Sequence, residues 1–149
     1  MQLTKENVQQ LIRKNYSPHP GQQAFHNARG HRFRVMSNGR RWGKDFATFQ
    51  EALVVGLTYP NSSIPVITPT SKQGKGIFRM AQSNIDRRFY GGDDGIKKQA
   101  REIQLVNGSI IRFISAESQN TFRGLGQDVR MLIVDEAAYV SKDVWVEAR

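Results

Sequence analysis

Apolar residues along this chain follow two habits, helical steps of three and four and unbroken runs, and their alternation predicts an α/β fold. Thr4 is placed as an N-cap with Leu3 and Val8 set for a hydrophobic staple, and Val8, Leu11 and Ile12 trace one helical face to about Asn15. Tyr16-Ser17-Pro18-His19-Pro20-Gly21 ends that helix, and a short amphipathic piece covers residues 22–28. A first strand is expected over residues 32–37, followed by a helix that starts near Lys44 and carries Phe46, Phe49, Leu53 and Leu57 on one face. Residues 64–68 predict a second strand, which Pro65, lacking an N–H for a ladder, assigns to a sheet edge. Ser71 is placed to cap a helix with Ile77, Met80, Ala81, Ile85 and Phe89 along its face. After a glycine-rich loop at 90–95, residues 102–106 and 109–115 flank Asn107-Gly108, which predicts a hairpin with a two-residue type I′ turn. Its second arm, with Ile110, Ile111, Phe113 and Ile114, is apolar on both faces and belongs inside a sheet; the first, with Glu102 and Gln104, faces solvent on one side. The run 131–134 has no polar face, as in the middle of a parallel sheet covered on both sides, and Ser141 is placed to cap a last helix.

At 149 residues, 38% hydrophobic and 23% charged, the chain has room for one soluble domain with a real core. Its charge is less ordinary: 22 Lys and Arg against 13 Asp and Glu leave +9, which points to a polyanionic partner, or to an acidic counterpart elsewhere in a longer chain. No amphipathic helix sets Lys and Arg opposite aromatic residues, so nucleic acid fits better than a membrane surface. Without cysteine, disulfides, thiolate zinc sites and cysteine nucleophiles are excluded, and His19, His26 and His31 lack metal-ligand spacing. A polar N-terminus and the lack of a membrane-length apolar run lead to the expectation of a cytoplasmic setting.

The chemistry is concentrated in two stretches. Residues 37–45 read Ser-Asn-Gly-Arg-Arg-Trp-Gly-Lys-Asp between an apolar run and a helix, the layout of a phosphate loop that aims backbone N–H groups and a lysine at phosphates. Against G-x-x-x-x-G-K-[ST], the first glycine falls at Asn38, Gly39 is one place late and Asp45 replaces the hydroxyl residue, so an ordinary basic turn is the alternative for this stretch alone. The second stretch ends the apolar run 131–134 with Asp135-Glu136, at the strand end where open α/β sheets bind ligands. There Asp135 would hold Mg²⁺ and Glu136 would orient the attacking water, the alternative being a core strand followed by a solvated acidic turn. Upstream, Tyr16 and Gln22 are placed either to recognise adenine, by stacking and an amide contact, or simply to start a solvated helix. Gln73, Lys75 and Arg79 would meet a DNA backbone or form a solvated face. Arg123, in a polar loop just before the acidic strand, would stabilise γ-phosphoryl charge in its own subunit or across a ring interface, or would anchor a loop or touch DNA phosphate.

Taken together, Tyr16-x-Pro-His-Pro-Gly-Gln22 with Phe25-His26, Arg32-x-Arg34-Val35 leading into Gly39-Arg40-Arg41-Trp42-Gly43-Lys44, then Phe122-Arg123-Gly124 and Leu132-Ile133-Val134-Asp135-Glu136-Ala137-Ala138 resemble the large terminase subunit of tailed bacteriophages, the motor that packages double-stranded DNA into procapsids. The resemblance implies a P-loop NTPase of the additional-strand type: a three-layer sandwich with a mostly parallel sheet, an added antiparallel hairpin and an incomplete C-terminus. It implies ATP and Mg²⁺ as cofactors, with Asn38, Gly39, Arg40, Arg41, Trp42, Gly43, Lys44 and Asp45 around the nucleotide, Tyr16 and Gln22 on its adenine side, Asp135 and Asp45 near the metal, and Lys44, Glu136 and Arg123 as catalytic groups. The resemblance makes Arg123 the candidate trans-acting finger, with Arg40 or Arg41 contacting phosphate in cis as the alternative. Asp45 departs chemically, since a carboxylate for a hydroxyl adds negative charge beside metal and phosphates. Residues 1–31 would form the helical adenine-side segment and 32–149 the core through the acidic strand, with the nuclease domain of that family absent. The expected partners are double-stranded DNA, the portal protein, the small terminase subunit and, at full length, further copies in a pentameric ring, in the host cytoplasm and without a membrane. A strand missing from this chain would lie between the 32–37 strand and the acidic strand, leaving both without a neighbour and the chain a fragment or a truncated gene. The competing functions are a helicase-like DNA-dependent ATPase and a non-catalytic basic module that binds DNA or a partner subunit.

Overall fold

The computed structural model describes residues 4–117 and 128–147. Helix α1 (Lys5–Arg13) starts where the Thr4 hydroxyl accepts from the Asn7 N–H, and it buries Val8 and Ile12 against α3 (Lys44–Thr58). Helix α2 (Pro20–Asn27) is capped by His19 and begins with proline at its first position, where no N–H is needed. Helix α4 (Ser71–Asn84) is capped by Thr70, one residue before the expected Ser71, because Thr70 and Gln73 close a reciprocal capping box. A short α5 (Lys142–Glu147) follows the last strand.

The five strands are β1 (Ser63–Thr68), β2 (Ile96–Lys97), β3 (Glu102–Gln104), β4 (Ile110–Ser115) and β5 (Ile133–Val134), ordered β2-β3-β4-β1-β5. Parallel pairing joins β1 to β4 and to β5, and the β2-β3-β4 part is antiparallel, so the hairpin extends a parallel core as expected. Ile64, Val66, Ile111 and Phe113 share one face by register and alternation. Both long helices pack there: α3 comes so close that a Cβ on Gly56 would lie 3.2 Å from Ile64, and Phe78 of α4 meets the Phe113 ring edge-on at 5.5 Å. Neither helix supplies the layer expected on the opposite face.

Four expectations are corrected. The segment 32–37 joins no ladder: Phe33 and Val35 are 77% and 92% exposed, and among the described residues no strand lies beside it. For the same reason β5 is an edge strand rather than a central one, paired among the described residues with β1 alone. Pro65, by contrast, lies in a central strand. Ser63 and Ile67 turn their peptide groups toward β5, through bonds with Asp128, Arg130 and Asp135, so Pro65 between them withholds its N–H from that side alone. There the register slips, three steps on β1 from Ser63 to Val66 facing four from Val129 to Ile133, and the ladder to β4 stays whole. Finally, the hairpin turn is not type I′, which needs positive φ at both central residues: Gly108 has φ 85° and Asn107 does not share it. The Gly108 N–H bonds to the Leu105 carbonyl and the Leu105 N–H to the Ser109 carbonyl, a three-residue loop with glycine at the left-handed place. This leaves the Asn107 amide free to donate to the Gly56 and Leu57 carbonyls at the end of α3.

The N-terminal part is fastened to α3 by Glu51, whose carboxylate is completely buried. It accepts from His26 Nδ1, from both Arg29 Nε (3.0 Å) and Arg29 Nη2, and from Arg34 Nη1 (3.0 Å). Burial alone would raise the Glu51 pKa, but the His26 and Arg29 hydrogen bonds and the charges of Arg29 and Arg34 lower it from 4.5 to about 2. Burial first, then the Glu51 charge, push the Tyr16 phenol up to about 12, so it stays protonated and bonds to His26 Nε2 at 2.8 Å. Because the Glu51 carboxyl is more acidic folded than unfolded, its contribution is present above about pH 4.5 and is lost as pH falls toward about 2. Glu51→Gln is therefore expected to lower unfolding free energy by roughly 3–5 kcal/mol at neutral pH. In urea melts from pH 7 to pH 3, the variant should lose less stability across the acid range than the wild type; equal acid slopes would contradict the role assigned to the carboxylate.

Candidate nucleotide site

Residues 33–39 lead without helix or ladder into a turn at 40–42, and the turn feeds directly into α3. Arg41 and Gly43 both have positive φ, 63° and 85°, and Gly43 is the left-handed N-cap from which Lys44 starts the helix. The extended approach and turn thus set the positive end of the α3 dipole at Gly43 and Lys44, a place where an anion is favoured. Arg40 and Arg41 are exposed on the turn, and Asn38 and Trp42 are half-buried.

The acidic pair comes from the far end of β5. The Asp135 N–H bonds to the Ile67 carbonyl at 2.9 Å, continuing the ladder by one step, and Glu136 then turns left-handed at φ 45°, ψ 48°. Lys44, Asp45, Asp135 and Glu136 lie in one electrostatic field. Burial raises the Asp135 pKa, the charges of Asp45 and Glu136 raise it further, and a backbone hydrogen bond and Lys44 act against them. Asp45 is likewise raised by burial and by Glu136, against the opposing pull of Lys44. Burial is thus the larger cause of both shifts, and mutual repulsion among the carboxylates adds to it against the pull of Lys44. Among the described residues no group of three His, Cys, Asp or Glu side chains is close enough to cage a metal. A magnesium ion bound mainly through phosphates and water needs only one or two carboxylates, so this donor set fits it.

Sequence reasoning turned Gln73 toward DNA or solvent and overlooked its place here. Its Nε2 donates to Glu136 Oε2 at 2.5 Å, while its Oε1 accepts from the Thr70 N–H and hydroxyl. The signal was the Thr-x-x-Gln spacing of a capping box, which fixes this side chain at the start of the helix that follows β1, the neighbour of β5. The residues expected beside adenine are otherwise engaged. Tyr16 is 8% exposed, with its ring edge-on to His26 and Phe46, and Gln22 is 6% exposed, with its amide on the loop's own carbonyls. A cavity of about 400 Å³ does lie beside the loop, walled by Phe25, Phe33, Asn38 and Trp42 and lined by neither Lys44 nor the acidic pair. Arg123 lies outside the described residues.

Gly43 is the backbone position on which this geometry turns, since an added Cβ there would combine a left-handed φ with a 2.8 Å approach to Gln22 Nε2. Gly39 has neither constraint. Gly43→Ala is expected to destabilise by about 1–2 kcal/mol and lower the melting temperature by several degrees, whereas Gly39→Ala should move it by less than about 1 °C. Equal effects in calorimetry would contradict the geometry.

No family model matches the chain. The large terminase subunits of Thermus virus P23-45 and Thermus phage G20c are each 29% identical to it over 149 aligned positions, covering 89% of this chain and 30% of theirs. The chain thus spans about a third of the length of these curated relatives. Among solved structures, the ATPase domain of the Thermus phage P74-26 large terminase superimposes with a TM-score of 0.71 at 25% identity, over 99% of this chain and 63% of that one, and an arginine-to-alanine mutant of it matches equally. These relatives share their name with the family that the sequence motifs resemble. In sequence over most of its length and in fold over nearly all of it, the chain is similar to the ATPase domain of a phage large terminase subunit.

Proposed function

We propose that this chain is the nucleotide-binding core of an ATPase that drives double-stranded DNA into procapsids. The observation that supports the reading is electrostatic: Lys44, at the start of α3, pulls down and Glu136, from the end of β5, pushes up the pKa values of both Asp45 and Asp135, so we read the four as one charged site. In it, the N–H groups of the turn and the Lys44 ammonium bind the β- and γ-phosphates. Asp135, with Asp45, would hold Mg²⁺, which would supply neutralisation of phosphate charge. Glu136 orients the attacking water and accepts its hydrogen bond, and Arg40 or Arg41 assists in cis. Arg123 is the proposed arginine finger, acting in its own subunit or across a ring interface.

The net charge of +9 and the exposed Lys72, Lys75 and Arg79 on α4 support DNA as the partner. The names of the similar proteins support a terminase role. With that role we propose the portal, the small terminase subunit and further copies in a pentameric ring as partners of the complete protein, in the host cytoplasm. No helix among the described residues is long and apolar enough to cross a membrane. Residues 1–31 would serve as the segment flanking the nucleotide and 32–149 as the core. A second reading, a basic DNA-binding module without turnover, is favoured by one observation: the strand-like approach to the loop and the outer edge of β5 are both unpaired among the described residues.

Nucleotide-dependent thermal shift separates the two. With Mg·ATP at a hundred times its Kd the wild type should gain about 2.7 kcal/mol of stability, Lys44→Ala should gain none, and Glu136→Gln should keep the gain while turnover falls roughly 10²- to 10⁴-fold. A full shift in Lys44→Ala, or unchanged turnover in Glu136→Gln, would contradict the assignment. Salt-sensitive DNA binding with no shift in any variant would favour the second reading.

A further inference from the structure

The chain before the loop grips it at one point. His19 Nδ1 accepts from the Gly21 and Gln22 N–H groups at 3.2 and 3.4 Å, so this nitrogen carries no proton. The neutral ring's proton therefore sits on Nε2, which donates to the Trp42 carbonyl at 3.1 Å. A single tautomer both caps α2 and holds the loop. Gln22 acts beside it: its Oε1 accepts from the His19 N–H at 3.2 Å, and its Nε2 donates to the Trp42 carbonyl at 3.4 Å and the Gly43 carbonyl at 3.3 Å. The packing is close, with the His19 and Trp42 rings edge-on at 4.7 Å and a Cβ on Gly21 falling 2.9 Å from the Trp42 ring.

Peptide planarity turns these contacts into an orientation. In a trans peptide the C=O of one residue and the N–H of the next point in opposite directions. Holding the Trp42 carbonyl toward His19 and Gln22 therefore aims the Gly43 N–H the other way. The Gly43 carbonyl, shared between the Ala47 N–H of α3 at 3.0 Å and the Gln22 amide, leaves the Lys44 N–H off the start of α3, where an anion is favoured. We infer that His19 and Gln22 are positioning residues of the phosphate loop, which fix the Trp42–Gly43 and Gly43–Lys44 peptides for a polyphosphate chain and do not read the base. The inference rests on the nucleotide site proposed above. It assigns Gln22 a different task from adenine recognition, because its amide makes its bonds within the protein.

Calorimetric titration of ATP, GTP and inorganic tripolyphosphate, each with Mg²⁺, tests it. Gln22→Ala and Gln22→Glu, the latter keeping shape while replacing the donor by a carboxylate, should weaken all three ligands by the same factor, roughly five- to tenfold or more. His19→Asn keeps a capping acceptor for α2 and shortens the reach to Trp42, so it should weaken all three ligands while ligand-free helix content and melting temperature stay near wild type. Amide hydrogen exchange at Gly43 and Lys44 should quicken in each variant. Loss confined to ATP would overturn the inference in favour of base recognition. Unchanged tripolyphosphate affinity would overturn it as well, and so would affinity falling only in proportion to ligand-free stability. If the wild type binds all three ligands and Lys44→Ala binds none, the nucleotide site stands whatever the Gln22 variants do; if the wild type binds none, the site fails and the inference with it.

Discussion

Glu51 belongs to the helix that follows the loop at residues 37–43, and its three cationic or imidazole partners belong to the chain that precedes that loop. The loop is thus bracketed: its ends are joined through one carboxylate with no exposed surface as well as through the backbone. A buried carboxylate is costly unless every lone pair is used, and here several donors converge on two oxygens, enough to reverse the effect of burial on its acidity. Tyr16 extends the network to the end of α1 through His26, so helices that share little apolar contact with the sheet are still held in one orientation. The 33–39 segment has no ladder of its own, and the Arg34 bonds to Glu51 and to the Phe25 carbonyl help to keep it in place.

The sheet sets the other half of the site. Register between β1 and β5 brings Asp135 level with the end of β1, and the parallel direction of both strands puts their ligand-binding ends together. At that end Thr70 and Gln73 close the first turn of α4, and the same Gln73 amide reaches Glu136. An acidic side chain proposed to orient water therefore begins bonded to a neutral amide on a neighbouring element, whose small movement would free it.

Much of this was legible in the residues. The helical face of α3, the hairpin whose second arm lies inside the sheet and the glycine-lysine turn all followed from spacing. What failed were inferences that treat a segment as if it carried its neighbours with it. Phe33 to Ser37 alternates like a strand, yet a strand exists only where another chain segment accepts its hydrogen bonds. Pro65 lacks a donor, but position within the strand decides which side that lack faces, and one irregular side leaves the other intact. Asn-Gly favours a type I′ turn until the Asn107 side chain finds better partners at the end of α3. Gln22 and His19 meet Trp42 across some twenty residues of chain, a contact no local pattern encodes. Glu51 did leave a trace: it is an acidic residue on the otherwise apolar face of α3 near Ala47 and Val54, and a carboxylate at such a position requires cationic partners.

The central claim is that the turn before α3 and the end of β5 enclose one magnesium-bound triphosphate. A crystal structure of the chain with Mg²⁺ and the β,γ-imido analogue of ATP tests it most directly. The account predicts terminal phosphates within hydrogen-bonding reach of the Lys44 ammonium and the Gly43 and Lys44 N–H groups, with the metal next to Asp135. A nucleotide bound elsewhere, or a metal on phosphates remote from Asp135, would contradict it.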